Sequence, residues 1–357
     1  MSAEAFLLRM PKVELHVHLE GTFRPATLLH LAKKNGITLP ADDEAGIRRW
    51  FRFRDFEQFI EVYKTCSSCL KDPEDFRLLA LDFLAEQAVQ NVLWSEVHFT
   101  ISMHLWQGGK GDEILDALRE AMDDARKRWG VGMALIPDIV RNWDLDHADA
   151  TLRWAVDHKD RGVVAMGIAG MEKGFSNEPF VSHFAAAQAS GLRTVAHAGE
   201  HGGPASIRSA LEHCRAQRID HGIRAVDDPS LMAHLAERGT ALDVCPSSNV
   251  ALGAVTSLEQ HPFPQLRAAG VALTVNSDDP PFFGTSLTRE YLLLHRTWGL
   301  SLAELAALSL GALDHAFVPA TERPALERRF REEMADLGVR AGGGGRPSAS
   351  AGGEASS

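Results

Sequence analysis

The stretch V-E-L-H-V-H-L, residues 13–19, sets two histidines two positions apart inside an apolar run. Side chains on an extended strand repeat every second residue, so His16 and His18 point to one face. Apolar residues on the other face make this a strand buried on both sides, the kind found in parallel sheets. Two imidazoles in such a place need partners, because burying polar groups unpaired is costly. Hydrogen bonding and a shared metal ion both meet that need, and neutral imidazole is a good ligand for zinc. The stretch alone leaves both open.

Seven further apolar runs follow at 91–99, 131–140, 163–170, 193–197, 218–221, 241–245 and 272–276. Most are separated by helical patterns. The segment 229–238 shows one, with Leu231, His234 and Leu235 at helical spacing. Eight strands alternating with helices predict an α/β fold closed as a (β/α)8 TIM barrel, with a doubly wound open sheet as the alternative. Residues 23–90 are too many for one crossover, so extra helices are expected between strands one and two, placed to roof the site. Residues 1–340 read as one barrel domain, and the Gly/Ser/Ala-rich 341–357 as a disordered tail.

Composition narrows the function. The 357 residues are 45% hydrophobic and 24% charged, normal for a globular protein with a large core. A net charge of −11 argues against a nucleic-acid or anionic-membrane surface but leaves room for a small anionic substrate. No apolar run reaches the ~18 residues of a membrane span, and the N-terminus lacks the apolar core of a signal peptide, so a cytoplasmic protein is expected. Cys66 and Cys69 have C-x-x-C spacing in a helical stretch with no second pair nearby, and read as helix cysteines.

The ends of the runs are more telling. The fifth ends in V-A-H-A-G-E, with His197 and Glu200, the sixth in I-D-H-G, with His221, and the eighth leads into N-S-D-D-P-P, with Asp278 and Asp279. Catalytic residues of barrels collect at the C-terminal strand ends. Polar clusters at four such ends shift the first-strand histidines toward a metal centre.

In order, H-V-H-L-E-G-T, H-A-G-E, D-H-G and N-S-D-D-P resemble the adenosine deaminase family of the amidohydrolase superfamily, from about Pro11 to about Ala316. The resemblance implies one zinc per chain, held by His16, His18, His197 and Asp278. It implies that Glu200 protonates purine N1, and that burial raises its pKa to keep it protonated. His221 would assist the metal's water. Asp279 would contact that water and accept a hydrogen bond at purine N7, and the backbone N–H of Gly170, in I-A-G-M-E, would reach N3. Glu20 stands where an aspartate usually faces the ribose, and His18, Gly170, Asp279 and Glu20 form the substrate-facing set. Binuclear relatives carry a lysine at the end of strand four. Here that strand reads V-V-A-M-G-I-A-G, so one metal is expected. The cytidine-deaminase pattern, H-x-E with P-C-x-x-C, is absent, and Cys245 reads as core. A catalytically dead barrel used for binding would have lost a ligand or the acid, and all are present. A phosphoesterase or amide hydrolase on this scaffold would want more metal ligands.

The resemblance implies an adenine-bearing small molecule as substrate. The stretches D-D-P-P-F-F-G-T-S-L-T-R-E-Y and G-M-E-K-G-F-S-N-E-P-F look closer to the branch acting on 6-amino-6-deoxyfutalosine, a menaquinone precursor. Adenosine and adenine are the alternatives. The departure D-V-C-P-S-S-N-V sets Asn249 near the site. Arg24, Arg141 and Arg224 are candidates for the acid group of that substrate, though each reads more simply as a surface arginine. Elemental analysis of the purified protein is expected to find about one zinc per chain; two tightly bound metals, or none, would overturn the single-metal scheme.

Overall fold

The computed structural model describes residues 1–339; the expected tail, 341–357, lies outside them. Eight strands, β1 (Lys12–His18), β2 (Val92–Phe99), β3 (Gly132–Val140), β4 (Ala165–Ala169), β5 (Arg193–Ala198), β6 (Arg218–His221), β7 (Ala241–Val244) and β8 (Leu273–Val275), run parallel in chain order. A bridge between Val17 and Asp278 joins the last to the first. The strands therefore form a (β/α)8 barrel and not the open doubly wound sheet. Every predicted strand is found, with ends shifted by a residue or two. β4 is the shortest against expectation, because Val163 makes only an isolated bridge to Leu135.

The β8–β1 seam is held largely by side chains. The Asn276 amide oxygen accepts the N–H of Leu15 at 2.7 Å and of His16 at 3.2 Å. Ser277 donates to Glu14 through both its N–H and its hydroxyl. A chain of polar contacts ties this seam to the barrel floor. Asn276 donates to Thr274 at 2.8 Å, Thr274 to Asp243 at 2.6 Å, and Arg218 donates to Asp243 at 2.8 Å and Glu96 at 2.5 Å. Arg218 also reaches the Leu15 carbonyl and lies over the Phe317 ring, 4.1 Å from its centroid. The floor is thus a buried ion network beside a small apolar cluster of Ile136, Ala165 and Val195.

The long insertion supplies the helices Pro25–Asn35, Glu44–Trp50, Phe56–Ser67 and Pro73–Val89. Phe56–Ser67 starts at Asp55, whose carboxylate accepts the Gln58 N–H, and it presents Phe59 to Phe283 with ring centroids 5.7 Å apart. That contact seats the helix over the short helix Pro280–Phe283 that follows β8, so the insertion does roof the barrel. The segment Pro229–Arg238 is a helix with the predicted bounds. Cys66 and Cys69 are buried and unbridged, Cys66 in the helix and Cys69 just beyond it, and Cys245 is in the core. No helix among the described residues is long and apolar enough to cross a membrane.

Arg218 tests this floor. Arg218→Met removes the positive partner and leaves Glu96 and Asp243 buried together. Breaking a buried ion pair from one side costs about 3–5 kcal/mol, so a large fall in the denaturant midpoint of unfolding is expected.

Candidate metal centre and active site

His16 and His18 leave β1 on one face, as their spacing requires, and reach the C-terminal mouth of the barrel. There they meet His197 from β5 and Asp278 from the loop after β8. His18 Nε2 lies 3.1 Å from His197 Nε2, and Asp278 Oδ1 lies 3.4 Å from His16 Nε2 and 3.3 Å from His18 Nε2. Four donors on a tetrahedron with bonds of about 2.0–2.1 Å stand about 3.3–3.4 Å apart, so these three separations are close to those around one zinc-sized cation. Both ring nitrogens of His16 are buried without a hydrogen-bond partner. The charged partners of the carboxylates here are histidines: Asp220 lies 3.1 Å from His197 Nδ1 and 3.7 Å from His16 Nδ1, and Asp138 lies 2.9 Å from His98 Nδ1, while Asp278 also accepts the Ser248 hydroxyl at 2.6 Å. Such a mouth is short of positive charge. Against the pull of burial, Asp220 and Asp278 push His16 up to about 9, and Asp278, Asp279 and Asp138 push His18 up to about 10. A divalent cation would supply the same charge with the imidazoles neutral, so the residues fit a metal.

The second ring nitrogens matter as much. The Ile168 carbonyl, 3.2 Å from His197 Nδ1, can only accept, so that nitrogen carries the proton and Nε2 is left to face the metal position, while Asp220 stands behind His16 and His197 as a charge. Sequence reasoning quoted Asp220 only as part of the D-H-G motif and passed over Asp138 and His98. The signal was available: each is a polar residue within an apolar run, as His16 and His18 are. His221 also lies within ligand reach of His16 and His197. Its Nε2, however, stands 3.9 Å from Asp278 Oδ2 and its Nδ1 is bonded to Asn249, which sets it beside the donor set.

A cavity of about 290 Å³ opens above these donors. Gly170, His18, Glu200, His221, Asp278 and Asp279 line its floor, and Phe56, Phe59, Ile60, Tyr63, Met103 and Leu252 its walls. Two buried carboxylate oxygens there, Glu200 Oε1 and Asp279 Oδ1, have no hydrogen-bond partner. Buried acceptors are nearly always satisfied, so two unpaired carboxylate oxygens in one site are unusual. Burial and the charge of Asp278 push the Asp279 carboxyl well above its ordinary range. Glycine is obligatory at position 21, since a Cβ there would lie 1.6 Å from Asp279 Oδ1. At Gly170, with φ +90°, a Cβ would lie 2.6 Å from Asn142 Oδ1. His221 and Asp278, both at φ +63°, hold left-handed backbone that costs a non-glycine residue about 1–3 kcal/mol.

Three expectations change. Burial does raise Glu200, but His221 and a hydrogen bond from His201 outweigh it and hold the carboxyl below its ordinary value. His201 Nδ1 lies 3.0 Å from Glu200 Oε2 and its Nε2 lies 3.2 Å from the Leu252 carbonyl, which only accepts. Nε2 therefore carries a proton, and one more proton is shared along the Glu200–His201 contact, with Glu200 pushing His201 up to about 9 against burial. Glu20 does not line the cavity: it is fully buried and accepts from the Thr100 N–H at 3.0 Å, His104 at 3.1 Å and the Tyr63 hydroxyl at 3.1 Å. Arg141 is no surface arginine. It is buried and donates to Asn177, to the Gly170 carbonyl and to the His197 carbonyl, which braces the ends of β4 and β5. Arg24 and Arg224 are half-buried and paired with Glu86 and Asp227.

Glu172 holds the loop that carries Glu200. Its carboxylate accepts the N–H groups of Gly199 at 2.6 Å, Glu200 at 2.9 Å and His201 at 2.9 Å, and the Ser206 hydroxyl at 2.5 Å. Burial opposes its charge, but Ser206, Arg141 and these N–H groups hold its pKa down to about 2.

A sequence model of the family described as Adenosine deaminase matches residues 11–333. An aminodeoxyfutalosine deaminase of Streptomyces coelicolor is 39% identical, over 88% of this chain and 82% of that protein. An adenine deaminase of Vibrio parahaemolyticus is 34% identical, over 88% of this chain and 93% of that protein. Among solved structures, a Zn-bound amidohydrolase from Burkholderia ambifaria superposes with a TM-score of 0.84 at 29% identity, over 95% of each chain.

Glu172→Gln removes a charge-assisted acceptor, a loss of about 1.5–3 kcal/mol. A depressed carboxyl stabilises the fold fully above its unfolded pKa of 4.5 and loses that contribution as pH falls through its folded value of about 2. The stability gap between wild type and variant is therefore expected to be full at pH 7 and to close between those two values in denaturant titrations.

Proposed function

The chain belongs to the adenosine deaminase family and is a hydrolytic aminohydrolase, and we infer that it replaces the 6-amino group of an adenine-bearing substrate with oxygen, using one zinc ion held by His16, His18, His197 and Asp278. The observation that carries this reading is the placing of Glu200, His221 and Asp279 beside the donor set on one cavity floor. A metal held there lowers the pKa of a bound water toward about 7, so that hydroxide is available at neutral pH.

The chain's own residues do the rest. Gly170 offers its backbone N–H to N3, and Asp279 meets N7. Neutral purine N7 brings a lone pair and no proton, so Asp279 must donate there as the protonated acid, the reverse of the direction first expected. As oxygen adds at C6, the C6–N1 π electrons move to N1, and Glu200 passes N1 the proton it shares with His201. The amino nitrogen then takes up the proton of the added hydroxyl and leaves as ammonia while the C6–O double bond forms. General acid help of this kind is worth about 10²–10⁴-fold.

The preferred substrate is 6-amino-6-deoxyfutalosine. A cavity of about 290 Å³ with apolar walls stands near the lower end of the roughly 300–1,000 Å³ that enclose drug-sized ligands, more room than a bare base fills. The Streptomyces relative carries the same assignment in its name. With Arg141 committed to backbone carbonyls, Lys64, an exposed cation on the cavity wall, is the partner for a substrate carboxylate. Adenine is the second reading, favoured by the Vibrio relative, and adenosine the third.

Ammonia release from the three compounds, measured side by side, is expected to give the highest kcat/KM with aminodeoxyfutalosine; a preference for adenine or adenosine would reassign the substrate, and no release from any would sink the deaminase reading. Glu200→Gln is expected to keep its metal and lose about 10²–10⁴-fold in kcat.

A further inference from the structure

His221 sits at the end of a line of hydrogen bonds that begins at a backbone amide. Residues 263–268 form a short helix, and the Phe263 N–H belongs to its first turn, where no helix carbonyl can take it. It donates to His261 Nδ1 at 3.1 Å. An amide N–H can only donate, so this nitrogen of His261 must be the acceptor and the proton of the neutral ring must sit on Nε2. His261 Nε2 faces the Asn249 amide oxygen at 3.1 Å, which fixes the orientation of that amide. The Asn249 NH2 then faces His221 Nδ1 at 3.1 Å. All three side chains are buried, at 1%, 0% and 1% exposure, so no solvent interrupts the line. Burial and the neighbouring His221 hold His261 down to about 4, which keeps it the single-proton ring this order requires.

We propose that His261 and Asn249 are positioning residues that fix the proton of His221 on Nε2, so that His221 faces the reaction as a hydrogen-bond donor. The surroundings agree: Nε2 points toward two acceptors, Glu200 Oε2 and Asp278 Oδ2, each 3.9 Å away. The opposite arrangement fails at every link. With a proton on His221 Nδ1, Asn249 must turn its oxygen to that ring and its NH2 toward His261 Nε2–H, donor against donor. Moving the His261 proton to Nδ1 would set it against the Phe263 N–H. A neutral ring held this way cannot take a proton through Nε2. His221 therefore orients the attacking oxygen by donating to it, and the proton that oxygen loses goes elsewhere. The proton placement stands on geometry alone; its part in catalysis rests on the deaminase reading above.

Side-chain nitrogen NMR on metal-loaded protein labelled with ¹⁵N-histidine tests the placement, with the His221 signals identified by their loss in His221→Gln. The expected result is an unprotonated Nδ1 and a protonated Nε2; a protonated Nδ1 overturns the proposal. Asn249→Asp presents acceptors to both rings, so it is expected to move the His221 proton to Nδ1, exchange the two signatures, and lower kcat about 10–100-fold with little change in KM. A changed signature with unchanged kcat overturns the catalytic part. Should the variant fail to fold, the wild-type spectrum decides by itself. Should the wild-type protein release no ammonia while its spectrum is as expected, the deaminase reading fails and the proton placement stands.

Discussion

The structure is organised around carboxylates that have been taken out of water without a lysine or arginine beside them. Asp138, Asp220 and Asp278 converge at the mouth of the barrel, and histidines make up their ion-pair partners. Isolated buried charges are too costly to keep, so such a cluster must draw in positive charge as protons or as a metal. The spacing of His16, His18, His197 and Asp278 suits one cation, and the Ile168 carbonyl orients the His197 ring. The rest of the barrel can be read as the frame that makes this concentration of charge tolerable.

That frame is stiff where the donors attach. β1 carries two of them, and it is locked to β8 through the Asn276 side chain as well as through the ladder. Asn276 connects in turn, through Thr274 and Asp243, to Arg218 on the floor. The β5 loop is held by Glu172, and the ends of β4 and β5 by Arg141. Such bracing lets His221 and Asp278 hold strained backbone, both at φ +63°. Strain of this kind persists only where the surroundings over-determine it.

Above the donors the chemistry changes from ionic to apolar. The helix Phe56–Ser67 brings Phe56, Phe59, Ile60 and Tyr63 to the cavity wall and stacks Phe59 on the short helix just after Asp278 and Asp279. The roof thus excludes water from the ionic floor and leaves room beyond a purine ring. On the proposed function, the floor carries the hydrolysis and the walls set what else the ring carries.

The sequence by itself determined the barrel and the placing of His16, His18, His197 and Glu200 at or just past the ends of its strands. Each of those is encoded locally: a period of two puts His16 and His18 on one face, and a polar residue closing an apolar run marks a strand end. The same signal was present at His98 and Asp138 and went unread, because only strands with motif-like ends drew notice. Tertiary structure decided what depends on meetings across the chain. Arg141 is buried because the carbonyls of Gly170 and His197 come to it. Glu20 turns from the cavity because Thr100, His104 and Tyr63 claim its oxygens. Glu200 shares a proton with a neighbour in sequence, yet the sharing depends on the Leu252 carbonyl pinning the far side of that ring. His261 reaches His221 only through Asn249. Hydrogen-bond direction is a property of atoms in place, so no spacing of residues along a chain could have stated it.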